Sequence, residues 1–211
     1  MRRLCESSLA GGPIGNAPVY ARIVPRPNRP QVAGGIYHIT ARGNRRQDVF
    51  ADDSDRDLYL SLLERVVVRY GWRCHGYCLM ANHVHLVIET PQPNISFGMQ
   101  FLSGRYAQIF NQRHGVTGHL FQGRFHSVLV QHTSQLLVLM RYVALNPVEA
   151  HLCDHPRDWK WSSYAAVVGR TPKPQFLQVD LIMESLGQNT REGARAAFAE
   201  FVVGPPARAG P

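Results

Sequence analysis

The sequence predicts an α+β fold in which an antiparallel sheet carries helices on one face. Short runs rich in β-branched and aliphatic residues alternate with longer segments whose apolar residues recur at helical spacing. The order along the chain is strand, helix, strand, strand, helix, strand, helix, and its first six elements match the ferredoxin-like split βαβ arrangement. With 211 residues, the chain can bury one such core and carry a further helix and a small C-terminal helical extension.

The first four elements are bounded by local signals. Residues 35–42 form a strand that breaks at a Gly-Asn pair. The helix that follows is capped by a polar residue between positions 52 and 54, and Gly71 stops it after about residue 70. Residues 72–80 and 83–90 form the next two strands. The tight Ala81-Asn82 turn between these strands predicts that they pair antiparallel.

The next three elements follow the same logic. A helix of about residues 96–114 precedes a glycine-containing loop, and residues 125–131 form the fourth strand. A third helix spans about residues 134–145. We expect Pro147 to end it, because the residue before a proline is pushed out of helical geometry.

Composition divides the chain into four parts. Residues 1–30 are rich in Gly, Pro and Arg without periodicity, and they predict a flexible basic arm. Residues 31–170 hold the predicted domain. Residues 173–203 contain two short predicted helices that form the C-terminal extension. Residues 204–211 are expected to be a disordered tail.

The chain is strongly basic, with a formal net charge of +8. This balance favours a polyanionic partner, most simply nucleic acid. Nearly all the basic residues are arginines, which suit bidentate contacts with phosphate. Codon bias in a GC-rich genome explains the arginines equally well, because Ala and Gly are also abundant.

Other patterns narrow the cellular setting. No apolar run approaches the length of a membrane span, and no signal-peptide hydrophobic region follows the first residues. The four cysteines have neither a disulfide-framework spacing nor a zinc-finger spacing. We therefore expect no membrane partner and a cytoplasmic location, associated with the nucleoid.

The third strand contains a His-Val-His element. Side chains alternate faces along a strand, so His83 and His85 point the same way, while Val84 and Leu86 point the other way. Two neutral imidazoles that converge from one face form half of a site for a divalent metal ion. The alternative is a pair of half-exposed strand histidines without a ligand.

The third helix offers residues that could complete this site. Tyr142 and Asn146 are four residues apart and therefore share one helical face. An asparagine amide oxygen is a plausible ligand for a hard cation such as Mg²⁺ or Mn²⁺. A tyrosine one turn earlier could attack a metal-bound phosphate and form a covalent intermediate. The alternative is that Tyr142 packs in the core and Asn146 caps the helix end.

Five ordered blocks carry a resemblance to a known family. In one-letter code they are YHITARGN at 37–44, MANHVH at 80–85, GHLFQGRF at 118–125, YVALNPV at 142–148 and WSSY at 161–164. Together they resemble the single-tyrosine transposases of the HUH endonuclease superfamily, and within them the REP-associated tyrosine transposase branch. The resemblance runs from about residue 30 to 170. One departure is Ala81, which stands where the family usually has proline.

The resemblance implies a function and roles for the four site residues. A divalent metal, Mg²⁺ or Mn²⁺, would be held by His83 and His85, with Asn146 in the amide position that completes its site. Tyr142 would be the nucleophile, carried on the helix after the fourth strand. The family cuts single-stranded DNA beside hairpins of palindromic repeats, and leaves a 5′-phosphotyrosine and a free 3′-hydroxyl. The reaction is a transesterification, and the protein would act as a monomer or homodimer.

Candidate DNA contacts follow the first strand or flank the second helix. They are Arg42, Asn44, Arg45, Arg46, Arg105, Arg113 and Arg124. Arginines can grip phosphates while nearby aromatic residues stack on bases. For any one of these arginines, a solvated surface position is at least as good an explanation.

Two other functions fit parts of the sequence. A protein that binds palindromic hairpins without cutting them would need the same basic charge and fold. A zinc hydrolase could use His83 and His85, but it needs a third strong ligand and an activated water. A complete set of both histidines, the tyrosine and the amide favours the strand-cutting enzyme over both.

Overall fold

A computed structural model describes residues 31–204 of the chain. The basic arm predicted at 1–30 and the tail beyond residue 204 lie outside the described residues. Four strands form one antiparallel sheet in the order β2-β3-β1-β4. The strands are β1 (Gly35–Arg42), β2 (Arg73–Leu79), β3 (His83–Thr90) and β4 (His126–Val130). This sheet order and the α+β class confirm the predicted fold.

In the part of the chain that the structure describes, six α-helices accompany the sheet. They are α1 (Asp53–Tyr70), α2 (Ile95–His114), α3 (Thr133–Glu149), α4 (Tyr164–Val167), α5 (Asp180–Glu184) and α6 (Arg191–Val203). The single-turn α4 was not predicted, and it follows a segment that pairs with the edge of β2. Among residues 31–204, no helix combines the length and the apolar character that crossing a membrane requires.

The ends of α1 show why its boundaries could be predicted. Asp52 accepts a hydrogen bond from the backbone N–H of Asp55, and the Asp55 side chain reaches back to the N-cap. This reciprocal capping box satisfies two N–H groups that have no partner within the helix. At the other end Gly71 adopts a left-handed conformation with φ of 65°, which a glycine accepts without strain.

The two faces of the sheet have different coverings. Alternate strand residues such as Ile39 and Leu86 are fully buried beneath α1 and α2, which pack against each other through the rings of Tyr59 and Tyr106. We call this side the closed face. Tyr106 is fully buried there and is therefore a packing residue.

The opposite side, which we call the site face, carries α3. Gly76 of β2 lies directly beneath this helix, and a Cβ atom there would come within 2.6 Å of the Met140 side chain. Helix α6 packs behind α3, where the Arg141 guanidinium donates a 2.6 Å hydrogen bond to the backbone oxygen of Gly204. The C-terminal segment therefore holds α3 against the sheet.

The prediction that Pro147 ends the third helix was wrong. Helix α3 continues through Pro147 to Glu149, and the backbone N–H of Ala150 still bonds to the oxygen of Asn146. A proline lacks the N–H that would bond to the carbonyl of Val143, but one missing bond near the end of a well-packed helix is tolerable. As a consequence, Tyr142 and Asn146 lie on one continuous helix.

Candidate active site

The two histidines of β3 place their rings side by side on the site face. The ring centroids of His83 and His85 are 4.9 Å apart, and only 3% of His85 is exposed. The Nδ1 atom of His83 lies 2.6 Å from the Oδ1 atom of Asn82, whose amide nitrogen donates to the backbone oxygen of Arg46. Because Oδ1 can only accept, Nδ1 of His83 carries the proton and Nε2 keeps its lone pair.

Helix α3 brings the predicted tyrosine and asparagine to these imidazoles within the same chain. The Tyr142 ring meets the His85 ring edge to face, with centroids 5.5 Å apart and an interplanar angle of 88°. Tyr142 is 44% exposed, so its side chain is also open to solvent. The Asn146 amide nitrogen donates a 3.0 Å hydrogen bond to the backbone oxygen of Tyr142 one turn earlier. The structure therefore gathers all four predicted site residues into one place.

The electrostatics of the site keep both imidazoles neutral. The pKa of His85 is lowered to about 3, mainly by burial and in addition by the neighbouring His83 and His38. The pKa of His83 is lowered to about 4, mainly by burial and in addition by the positive charge of Arg42. The Asn146 side chain acts weakly in the opposite direction on both pKa values. At pH 7 both rings are thus in the form that ligates metal ions.

These residues fit a hard divalent cation. The Nε2 atom of His85 is buried and has no hydrogen-bond partner. An asparagine side chain can supply an oxygen, which such cations accept alongside imidazole. Within residues 31–204 no group of three or more His, Cys, Asp or Glu side chains forms a metal site. Further ligands for the ion would therefore come from water or from a bound phosphate.

One residue of this site was missed from the sequence. The Nε2 atom of His38 in β1 lies 2.9 Å from the Nδ1 atom of His85, and the two rings are stacked with centroids 5.2 Å apart. The His38 ring also meets the Tyr142 ring at 5.8 Å. Strand alternation could place His38 on one of two faces, but only the register between β1 and β3 shows that it reaches His85.

Four of the predicted DNA contacts lie at the end of β1 or just after it. Arg42 lies opposite His83 in the sheet, and Asn44 begins a short 3-10 turn. Arg45 and Arg46 have positive φ angles of 53° and 62°, which are unusual for residues with a side chain. Such strain, of order 1–3 kcal/mol for each residue, is often found at functional sites.

A cleft lies beside this turn. Residues 120–122 pair with the end of β1, since the N–H of Asn44 bonds to the oxygen of Leu120 and the N–H of Gln122 to that of Arg42. Between this segment and α2 is a cleft of about 830 Å³. Its polar lining comes from Asn44, Gln100, Ser103, His119, Gln122 and Arg124. The GHLFQGRF block thus forms one wall of a cavity beside the end of β1.

The two remaining arginines, Arg105 and Arg113, do not line the cleft. Arg105 is exposed on α2, between the lining residues Gly104 and Ala107 in the sequence. Its guanidinium donates a hydrogen bond to the side chain of Gln108 on the same helix. Arg113 donates to the carboxylates of Asp52 and Asp55 at the N-terminus of α1. These ion pairs occupy the guanidinium of Arg113.

Known proteins resemble this chain in sequence and in fold. A family model described as "Transposase IS200 like" matches residues 31–146, which include both histidines, the tyrosine and the asparagine. A Haemophilus influenzae protein named as a REP-associated tyrosine transposase is 22% identical over 143 residues, covering 62% of this chain and 80% of that protein. A solved structure of a REP-associated tyrosine transposase bound to a REP hairpin has a TM-score of 0.60 at 18% identity. It covers 75% of this chain and 93% of that chain, which shows that the two share a fold.

Proposed function

The chain belongs to the IS200-like transposase family of DNA-cleaving and DNA-joining enzymes, and from that premise we propose that it nicks and rejoins single-stranded DNA beside hairpins. The nucleophile in this proposal is Tyr142, and the cofactor is Mg²⁺ or Mn²⁺. The family itself was predicted from the five sequence blocks and is confirmed. The metal, the nucleophile and the form of the DNA are the proposed parts.

One observation supports the chemistry above all others. The exposed ring of Tyr142 lies against the nearly buried ring of His85, and Asn146 follows one helical turn later. A core tyrosine would be covered, and a helix-capping asparagine would stand at the helix end. In α3 the tyrosine is open to solvent, and the helix continues beyond the asparagine to Glu149.

The proposed reaction exchanges one phosphate ester for another. The Tyr142 oxygen attacks the phosphorus of a DNA phosphodiester and loses its proton. The bond from phosphorus to the 3′ oxygen breaks, and that oxygen takes up a proton and leaves as a 3′-hydroxyl. The 5′ phosphate stays on Tyr142 until another 3′-hydroxyl attacks it. Because the number of ester bonds is conserved, strand transfer needs no ATP.

His83, His85 and Asn146 are the proposed metal ligands. When bound there, a divalent cation polarises the phosphate and stabilises the charge that develops in the transition state. The two imidazoles contribute neutral nitrogen atoms, and the fold holds them 4.9 Å apart by ring centroid. The bond from Asn146 to the Tyr142 backbone ties the amide to the turn that carries the nucleophile.

The DNA partner is proposed from charge, shape and likeness. One relative in the same fold was solved with a REP hairpin, and this chain has a net charge of +8. Arg42 lies closest to the histidines, and Asn44 and Arg124 line the neighbouring cleft. We propose that Arg42 grips a phosphate beside the cut and that the cleft receives unpaired bases.

A covalent-adduct assay tests the proposal. The protein is incubated with Mn²⁺ and single strands, labelled at the 3′ end, that carry hairpins from intergenic inverted repeats. The wild type should retain labelled DNA on a denaturing protein gel, whereas Tyr142→Phe should retain none. Tyr70→Phe, at the end of α1, is the matched control and should form adduct like the wild type.

The same assay separates the competing functions. Hairpin binding without an adduct at any Mn²⁺ concentration would favour the non-cutting DNA-binding protein. Zn²⁺-dependent cleavage that survives Tyr142→Phe would favour the hydrolase. In residues 31–204 no group of three or more His, Cys, Asp or Glu side chains is arranged to hold a metal ion, so the structure gives the hydrolase no support.

A further inference from the structure

We infer that His38 is a positioning residue that holds the proton of His85 on Nδ1 and thereby keeps Nε2 of His85 free to bind the cation. The inference rests on the proposed function, because it concerns the same site. It adds a residue from β1 that belongs to neither the His-Val-His element nor α3.

The sheet register creates this contact. Thr40 of β1 pairs with His85 of β3, and His38 pairs with Val87, so His38 and His85 are diagonal neighbours on the site face. The distance between Nε2 of His38 and Nδ1 of His85 is 2.9 Å, and the rings are within 15° of parallel. This is a hydrogen bond between two imidazoles, and its direction depends on which ring carries the shared proton.

The two possible directions have opposite consequences. If His38 donates, the proton of neutral His85 must sit on Nε2, a buried atom that makes no hydrogen bond in the structure, and this proton would block a metal ion. If His85 donates, its proton sits on Nδ1 and its Nε2 lone pair is bare. Only the second arrangement can bind a metal ion, and it also avoids a buried N–H without a partner.

His83 also has a hydrogen-bond acceptor at its Nδ1 atom. Asn82 accepts from Nδ1 of His83, which leaves the Nε2 lone pair of that ring free. Each proposed imidazole ligand therefore has its own acceptor at Nδ1: an amide oxygen for His83 and a ring nitrogen for His85. Groups that fix a ligating histidine in this way typically contribute 10–100-fold to metal affinity.

Two substitutions separate positioning from packing. His38→Phe keeps a flat ring but removes the acceptor. His38→Gln loses the ring, but it can place an amide oxygen near the position of Nε2. His132→Phe, a histidine-to-phenylalanine change at the exposed residue before α3, controls for the substitution itself.

The first measurement uses nitrogen-15 NMR on metal-free protein to find the tautomer of His85. The wild type, His38→Gln and His132→Phe should show the proton on Nδ1, and His38→Phe should move it to Nε2. The second measurement titrates Mn²⁺ into each protein without DNA. His38→Phe should bind about 10–100-fold more weakly than the wild type, and His38→Gln and His132→Phe should stay within about threefold of it.

The outcomes distinguish a positioning role of His38 from a role in packing alone. A proton on Nε2 of His85 in the wild type would overturn the inference. So would a folded His38→Phe that binds Mn²⁺ like the wild type, or an equal loss in the Gln and Phe variants, which would indicate packing alone. A wild type that binds no Mn²⁺ would count against the metal in the proposed function, and the NMR result would still decide the role of His38.

Discussion

The closed face and the site face are built from alternate residues of the same strands, yet they are optimised for different things. In β3, Leu86 is fully buried beneath α1 and α2, while its neighbour His85 is nearly buried beneath α3. The closed face packs rings such as Tyr59 and Tyr106 against aliphatic side chains. The site face instead places three imidazoles, an amide and an exposed phenol together. Successive side chains of a strand point to opposite faces. The residues that stabilise the fold and the residues that could carry out chemistry therefore alternate along β3.

The largest expected effect comes from removing the imidazole of His85. His85→Leu should reduce strand cleavage roughly 10³-fold, because the cation that stabilises the transition state loses a ligand. The free energy of unfolding should change by less than about 1 kcal/mol, because replacing a buried nitrogen without a partner by an apolar group offsets the loss of the hydrogen bond to His38. Single-turnover cleavage and urea unfolding at pH 7 measure the two quantities. A large loss of stability would contradict the separation of the faces.

A substitution at the neighbouring Leu86 should lower stability and leave the cleavage rate almost unchanged. Leu86→Ala should lower the free energy of unfolding by about 2–4 kcal/mol, through lost apolar burial and the cavity it leaves. At a temperature where the variant is still folded, its cleavage rate should stay within about threefold of the wild type. Urea unfolding and cleavage assays at 15 °C test this. If Leu86→Ala also abolished cleavage in the folded protein, the closed face would contribute to the chemistry.

A smaller effect is expected from the amide on α3. Asn146→Ala should weaken Mn²⁺ binding about tenfold, because the amide is the weakest of the three proposed ligands. The helix should remain intact, since the bond lost is from a side chain to the Tyr142 backbone oxygen. Calorimetric Mn²⁺ titration and circular dichroism measure these results. Asn111→Ala, on α2 and away from the site, is a matched control that should bind Mn²⁺ normally.

The smallest expected effect is on the pH dependence of the free energy of unfolding. His83 and His85 have folded-state pKa values of about 4 and about 3, below their ordinary value of 6.5. The unfolded chain therefore binds more protons below pH 6.5, so stability should fall as the pH falls from 6.5 toward 4 and should level off above 6.5. Between pH 7 and 6, His85→Leu should lose less stability than the wild type, by less than about 1 kcal/mol. Urea midpoints at both pH values give the difference, and equal slopes would show that His85 is not held neutral.

Most of the fold could be predicted because local chemistry determines it. The capping box at Asp52 and the left-handed Gly71 bound α1 at the places where the sequence signals them. The sequence also paired His83 with His85, because alternation along one strand is a local property. Tyr142 and Asn146 were paired by helical spacing, although the expected end of their helix at Pro147 was wrong.

What could not be predicted depends on contacts between distant parts of the chain. His38 joins the site only through the register of β1 against β3. The pairing of Leu79 and Tyr77 with the 161–163 segment joins residues about 80 positions apart, and no local pattern signals it. Similarly, Arg113 looked like a candidate DNA contact until the structure placed it against two carboxylates of α1.

The position of Tyr142 against a histidine of its own chain has a consequence for how many molecules a cut requires. Under the proposed function, one polypeptide carries a complete set of reacting groups. The rate of a single cut should then be first order in protein, even at high dilution. An equal mixture of Tyr142→Phe and His85→Leu molecules should stay inactive. Each variant lacks one reacting group, and the other variant cannot supply that group to its site.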